Sequence, residues 1–159
     1  MSDESISTFM NRNVLMGEPD TPLSEVVAQM NSRVQSAFVV CEDGVPVGVI
    51  TERDTVACLD RSFAGENYSD VCAAEVMASP VHTLSESSTM GAVMRVMNER
   101  GFRRVPITDD KNRLSGIVNL MELQAAMNAA LESRGRDLEV AVMKRTAELQ
   151  AANAKLEEL

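Results

Sequence analysis

A chain of 159 residues with 45% hydrophobic and 25% charged residues has room for one ordinary folded domain or two small ones. Its net charge of −9 and pI near 4.6 exclude nucleic acid and anionic membrane surfaces as partners held by bulk electrostatics. Aromatics are only 3% and His82 is the single histidine, so aliphatic residues and 11 Met must fill the core, and histidine triads and His-rich metal sites are excluded.

The chain begins on an acidic, polar stretch (Met1-Ser2-Asp3-Glu4-Ser5), which is not a signal peptide, and no apolar run approaches a membrane span. A cytoplasmic protein is expected, with Cys41, Cys58 and Cys72 reduced and used as small apolar groups. A short helix over residues 6–12 leads into a strand over 14–16. The turn Pro19-Asp20-Thr21-Pro22 then opens a helix whose apolar stripe is Leu23, Val26, Val27 and Met30. A strand over 37–41, a polar turn, a strand over 45–50 and a helix over 52–61 complete the unit. Residues 62–72 are a polar linker.

The same order then repeats. At an offset of 67, Met10 falls on Met77, Val14 on Val81, Val26 on Val93, Arg33 on Arg100 and Asp43 on Asp110. One extra turn residue makes the offset 68 afterwards, which puts Gly48 on Gly116, Thr51 on Asn119 and Asp54 on Glu122. The second copy is read as helix 73–78, strand 81–84, a helix with stripe Met90, Val93, Met94 and Met97, strands 104–108 and 114–118, and helix 120–131. Each copy is β-α-β-β-α, with a right-handed crossover followed by a hairpin. The expected fold is therefore α/β (α+β): two repeats packed as a pseudo-twofold pair, followed by a C-terminal coiled-coil helix.

From Leu131 onward, Leu131, Gly135, Leu138, Val142, Arg145, Leu149, Ala152, Leu156 and Leu159 alternate by four and three, a heptad seam interrupted by Gly135 and Arg145. A lone helix would expose that seam, so pairing with a second copy is expected. A seam that stops on Leu159 implies that the natural protein continues.

One stretch joins strand to helix: Gly48-Val49-Ile50-Thr51-Glu52-Arg53-Asp54. Thr51 stands where a helix N-cap belongs, facing unpaired N–H groups that also suit an anion. Asp54, in the first turn, has a carboxylate able to accept two hydroxyl hydrogen bonds, as a ribose diol offers. The same residues also read as a capped helix with Asp54 complementing the dipole, and the stretch alone leaves both readings open.

Val39-Val40-Cys41-Glu42-Asp43-Gly44 followed by Gly48–Asp54, and Arg104-Val105-Pro106-Ile107-Thr108-Asp109 followed by Gly116-Ile117-Val118, resemble CBS domains; together the copies resemble a CBS pair, or Bateman module. The resemblance divides the chain into repeats at 5–65 and 70–131 and a signalling helix at 132–159. The tail over residues 145–153 resembles linkers that precede diguanylate cyclase or histidine kinase domains, implying the N-terminal sensory part of a larger bacterial signalling protein. What the resemblance implies is a non-catalytic regulatory module with an adenosine nucleotide (AMP, ADP or ATP) between the repeats and no metal requirement. The implied ligand residues are Thr51 and Asp54 from the first copy and Arg103 or Arg104 from the second, one arginine only because adjacent strand residues face opposite sides. Val14, Leu15, Met16, Ala37 and Phe38 are the implied apolar contacts for adenine, and His82 is read as structural. The implied partners are a second copy, through the CBS faces and the tail, and a downstream output domain. The alternatives are a ligand-free structural dimerisation module or a divalent-cation sensor.

Overall fold

The computed structural model describes residues 3–157, so Leu159, the last expected seam position, lies outside the described residues. Its elements follow the repeat. The first copy contains β1 (Met16–Gly17), α1 (Leu23–Arg33), β2 (Ala37–Glu42), β3 (Val45–Thr51) and α2 (Glu52–Phe63). A four-residue helix, α3 (Ala73–Val76), then precedes β4 (Leu84–Ser85), α4 (Met90–Arg100), β5 (Arg104–Thr108), β6 (Leu114–Asn119) and α5 (Leu120–Glu157). The chain divides into a compact unit ending at Leu120 and a helical unit beginning at Met121.

In the compact unit each copy forms its own three-stranded sheet, β1-β2-β3 and β4-β5-β6. The outer strand runs parallel to the central one and the hairpin is antiparallel. The two-residue turn Asp43-Gly44 has both residues left-handed (φ 51° and 83°), the turn whose twist matches the flanking strands. Both hairpins break register at the same place in the repeat, between Val40 and Cys41 and between Ile107 and Thr108. The helix ends correspond as well: α1 closes on left-handed Val34 (φ 52°) and α4 on left-handed Gly101 (φ 70°).

The helices bury the stripes expected of them except at Val27 and at Met94, which is half-buried. Leu23, Val26 and Met30 of α1 and Met90, Val93 and Met97 of α4 are buried, but Val27 is 42% exposed. Val27 lies at the edge of a stripe that Leu23, Val26 and Met30 already fill at helical spacing.

The larger difference lies in the segments that lead each copy. Expected as helices leading into strands of their own repeat, they first cross to the other one, although α3 is helical and β1 and β4 do pair with their own sheets. The first holds only a single 3-10 turn, Ile6–Thr8. It bonds to the second copy: Ile6 N–H donates to Ser88 O at 2.8 Å, Met90 N–H to Glu4 O at 2.8 Å, and Asn11 exchanges two 2.9 Å bonds with Ile117 of β6. The second segment does the reciprocal thing. Ala78 N–H donates to Val49 O of β3 at 2.9 Å and Val49 N–H to Ala78 O at 3.2 Å, while Ala73, Val76 and Met77 join the core formed by Leu15, Phe38, Val40 and Ile50. β1 and β4 are two residues each, against the strands expected over 14–16 and 81–84, and each follows a segment that pairs with the other copy's sheet before reaching its own. The crossing also accounts for two glycines. A Cβ on Gly48 would stand 2.7 Å from Cγ of Met77, and one on Gly116 would stand 2.7 Å from Sδ of Met10.

The unit beginning at Met121 is the continuation of α5, and all of its side chains from 131 to 157 are exposed, including Leu131, Leu138, Val142, Leu149 and Leu156 of the seam. The last helix and the tail are thus one continuous helix.

Candidate functional site

The loop between Gln35 and Ala37 and the bend before β5 bring the starts of the two central strands together. Arg104, the first residue of β5, donates from Nη2 to Ser36 Oγ at 2.6 Å, a bond between residues of different copies. Ser36 in turn accepts from Glu52 N–H through its carbonyl at 3.2 Å, tying the start of α2 to the same place. Between these elements lies a cleft of about 590 Å³, within the range of small-ligand pockets.

Its polar lining is Thr51 and Arg53 from the first copy, with His82, Arg103 and Arg104 from the second. Both arginines of the pair reach it. Arg103 lies in the bend before β5 rather than in the strand, so strand alternation does not turn it away. Its carbonyl is fixed by Leu120 N–H at 2.9 Å. The apolar lining is Val49, Ala78, Pro80, Val81 and Phe102. His82 and Phe102 stand with ring centroids 5.2 Å apart, tilted by 42°, and form an aromatic edge to the cleft. His82, read from sequence as structural, therefore borders this cleft.

Thr51 and Asp54 meet at the start of α2, Thr51 at the N-cap and Asp54 in the first turn, as expected. Asp54 Oδ2 accepts from Thr51 N–H at 2.7 Å and from Thr51 Oγ1–H at 2.8 Å. Thr51 and Asp54 thus form a capping box, the Thr51 side chain facing the Asp54 amide as expected and the carboxylate accepting from the Thr51 amide, with the hydroxyl's own hydrogen bond to the carboxylate in addition. Asp54 does not line the larger cleft but a second one of about 300 Å³, with Cys58, Arg61 and Tyr68. Burial raises the Cys58 thiol pKa there, opposed by the nearby Arg61 charge.

Val14, Leu15, Met16, Ala37 and Phe38 do not line the larger cleft. Leu15, Ala37 and Phe38 are buried, Val14 is half-buried and Met16 faces outward. The apolar wall comes from residues 78–82 because that segment crosses onto β3. The repeat alignment that matched Val14 to Val81 held the pointer, since it named the equivalent residue in the wrong copy. Among the described residues no three His, Cys, Asp or Glu side chains come together as a metal site, and no helix is long and apolar enough to cross a membrane.

Comparison with known proteins agrees with this arrangement. The family model for the CBS domain matches twice, at residues 6–60 and 73–129. An uncharacterized protein of Methanopyrus kandleri is 32% identical over 124 residues, which is 77% of this chain and 62% of that protein. The chain spans 42% of another such relative, from Methanocaldococcus jannaschii. Among solved structures, a CBS-pair protein of Arabidopsis thaliana in complex with AMP superposes with a TM-score of 0.65 at 20% identity, over 82% of this chain and 98% of that one. A CBS domain pair in complex with 5′-methylthioadenosine and S-adenosyl-L-methionine superposes at 0.69 and 19% identity, over 80% and 98%. Two sheets of β-α-β-β topology, a leading segment exchanged between them, and a family match to each copy together establish that the chain is a tandem pair of CBS domains and belongs to that family.

Proposed function

We propose that the chain is a regulatory, ligand-sensing module that binds an adenosine nucleotide in the cleft between its repeats and passes the change through α5 to an output domain. The repeats at 5–65 and 70–131 form the sensor and residues 132–159 the transmitting helix. The observation that carries the reading is the lining of the larger cleft: Thr51 and Arg53 from one copy face Arg103 and Arg104 from the other, so an anion held there touches both. The solved relatives with AMP or S-adenosyl-L-methionine support an adenosyl compound as the class. Ligand phosphate would compete with Ser36 for Arg104 and with Asp54 for the Thr51 hydroxyl, exchanging contacts within the module for contacts to the ligand. Such an exchange shifts a conformational balance only by the ligand's differential affinity for the two arrangements. The exposed seam of α5 supports a paired helix as the outlet, in a protein resembling the N-terminal part of a bacterial signalling chain.

Calorimetric titration of the chain with AMP, ADP and ATP tests the reading, repeated on Asp54→Ala and Arg103→Ala. Binding that Arg103→Ala weakens about tenfold or more is expected. Binding left unchanged by both substitutions would remove the site assignment. A ligand-free dimerisation module is the second reading, favoured by α2, which buries no residue and exposes Val56, Leu59 and Phe63. It predicts a stable dimer whose melting temperature no nucleotide moves.

A further inference from the structure

The charge of the cleft runs against that of the chain. The protein carries −9 overall, yet three of the cleft's lining residues are arginines and none is Asp or Glu. The acidic neighbours of Arg53 on α2 are directed elsewhere. Glu52 lines a separate cleft with Val27, Met30 and Val34, and Asp54 is bonded back to Thr51. Among the described residues, neither Arg53 nor Arg103 has an ion-pair partner within 4.0 Å, and Arg104 gives one N–H to the neutral Ser36 hydroxyl. A guanidinium has five donors in a rigid fork that suits phosphate oxygens, so most of this donor capacity faces the cleft unspent. The first turn of α2, with the positive end of its dipole, begins at the same wall.

We infer that the cleft selects its ligand by phosphate charge, taking metal-free nucleoside di- and triphosphates ahead of the monophosphate and turning away cationic S-adenosyl compounds. The inference rests on the nucleotide reading of this cleft and adds the charge class. A monophosphate brings about two negative charges, which three guanidinium groups over-compensate. Each further phosphate adds about one more charge and about two more non-bridging acceptor oxygens, which restores balance. A sulfonium adds a positive charge to an already positive cleft. Magnesium competes with the arginines for the same phosphate oxygens, so the magnesium complex binds more weakly than the free nucleotide.

The test is calorimetric titration of the full chain with AMP, ADP, ATP, S-adenosylmethionine and inorganic tripolyphosphate, with EDTA present and then with magnesium. Salt is varied, and the set is repeated on Arg53→Gln and Arg103→Gln; both side chains are exposed, and circular dichroism verifies the fold of each variant. The expected result is about a fivefold to tenfold gain per added phosphate. A steeper loss of ATP than of AMP with salt, negligible S-adenosylmethionine binding, and a reduced ATP-to-AMP ratio in both variants complete it. AMP binding as tightly as ATP, or an ATP-to-AMP ratio that neither variant moves, would overturn the charge selection and leave the nucleotide reading in place. Tripolyphosphate binding as tightly as ATP would overturn the nucleotide reading while leaving selection by phosphate charge, and no ligand binding at all would overturn both.

Discussion

Replacing Gly48 by alanine tests the exchange of leading segments directly. The new methyl would stand 2.7 Å from Cγ and 2.9 Å from Cβ of Met77, about 1 Å inside ordinary carbon–carbon contact. Rotating the Met77 side chain can move Cγ but not Cβ. Cβ can retreat only with its backbone, and the next residue, Ala78, is held by two hydrogen bonds to Val49. Overpacking of this kind costs about 1–3 kcal/mol, which for a chain of this size lowers the melting temperature by about 4–8 °C at the middle of that range. The assay is a thermal and urea double-mutant cycle. Met77→Ala removes Cγ and Sδ, so the pair with Gly48→Ala should be less destabilised than the sum of the singles by about 1 kcal/mol or more. Gly116→Ala should couple in the same way to Met10→Ala, because Gly116 lies against Met10 and the Asn11 carbonyl. The crossed pairs, Gly48 with Met10 and Gly116 with Met77, should add independently. Coupling in the crossed pairs and additivity in the direct ones would refute the exchange.

Val34 holds a left-handed conformation at φ 52° while 92% exposed, so Val34→Gly should stabilise the protein by about 1 kcal/mol, read as a higher urea midpoint with unchanged slope. Gly135 lies inside α5, and a Cβ added there would meet nothing within 4 Å, so Gly135→Ala should increase helicity by circular dichroism and stabilise the helix by about 1 kcal/mol. Burial first, and then the charge of Glu18, push the Cys41 thiol up from about 9 to about 11. Because the folded value is the higher one, its contribution to stability is complete below pH 9 and is lost as pH rises toward 11. Stability should therefore fall across that window, and Cys41→Ala should flatten the fall. At pH 8, iodoacetamide should modify Cys72 in the folded protein and reach Cys41 only through unfolding, as mass spectrometry of quenched samples would record.

The hairpins, α1, α4 and the start of α2 were legible because each is set by near neighbours in sequence: the Asp43-Gly44 turn, the Leu23-Val26-Met30 stripe, and the Thr51 cap with its carboxylate three residues on. The meeting of Thr51 with an arginine of the second copy was legible for another reason, since two copies of one motif can be compared position by position; that both Arg103 and Arg104 line the cleft was not, because Arg103 lies in the bend before β5 and not in the strand. The leading segments were not legible. Residues 6–12 and 73–78 have helical spacing, but their partners lie in the other copy, and nothing local says that Ala78 pairs with Val49. The apolar wall of the cleft followed the same error. Val14, Leu15 and Met16 belong beside the first copy's own sheet, and it is Pro80, Val81 and His82, led across by that pairing, that stand next to Thr51.

The same crossing makes the module indifferent to where its chain is joined. The stretch around Gly65 is exposed, and a Cβ added at Gly65 would meet nothing within 4 Å. A protease that nicks it would still not release two halves. The amino-terminal piece would stay paired to the other through Ser5 with Thr89 and Asn11 with Ile117 of β6, and the carboxy-terminal piece through Cys72 with Pro22 and Ala78 with Val49 of β3. Neither piece alone would own a finished core, so the smallest thing that can fold is the pair. The two copies are therefore joined through shared backbone hydrogen bonds and not only through the linker between them.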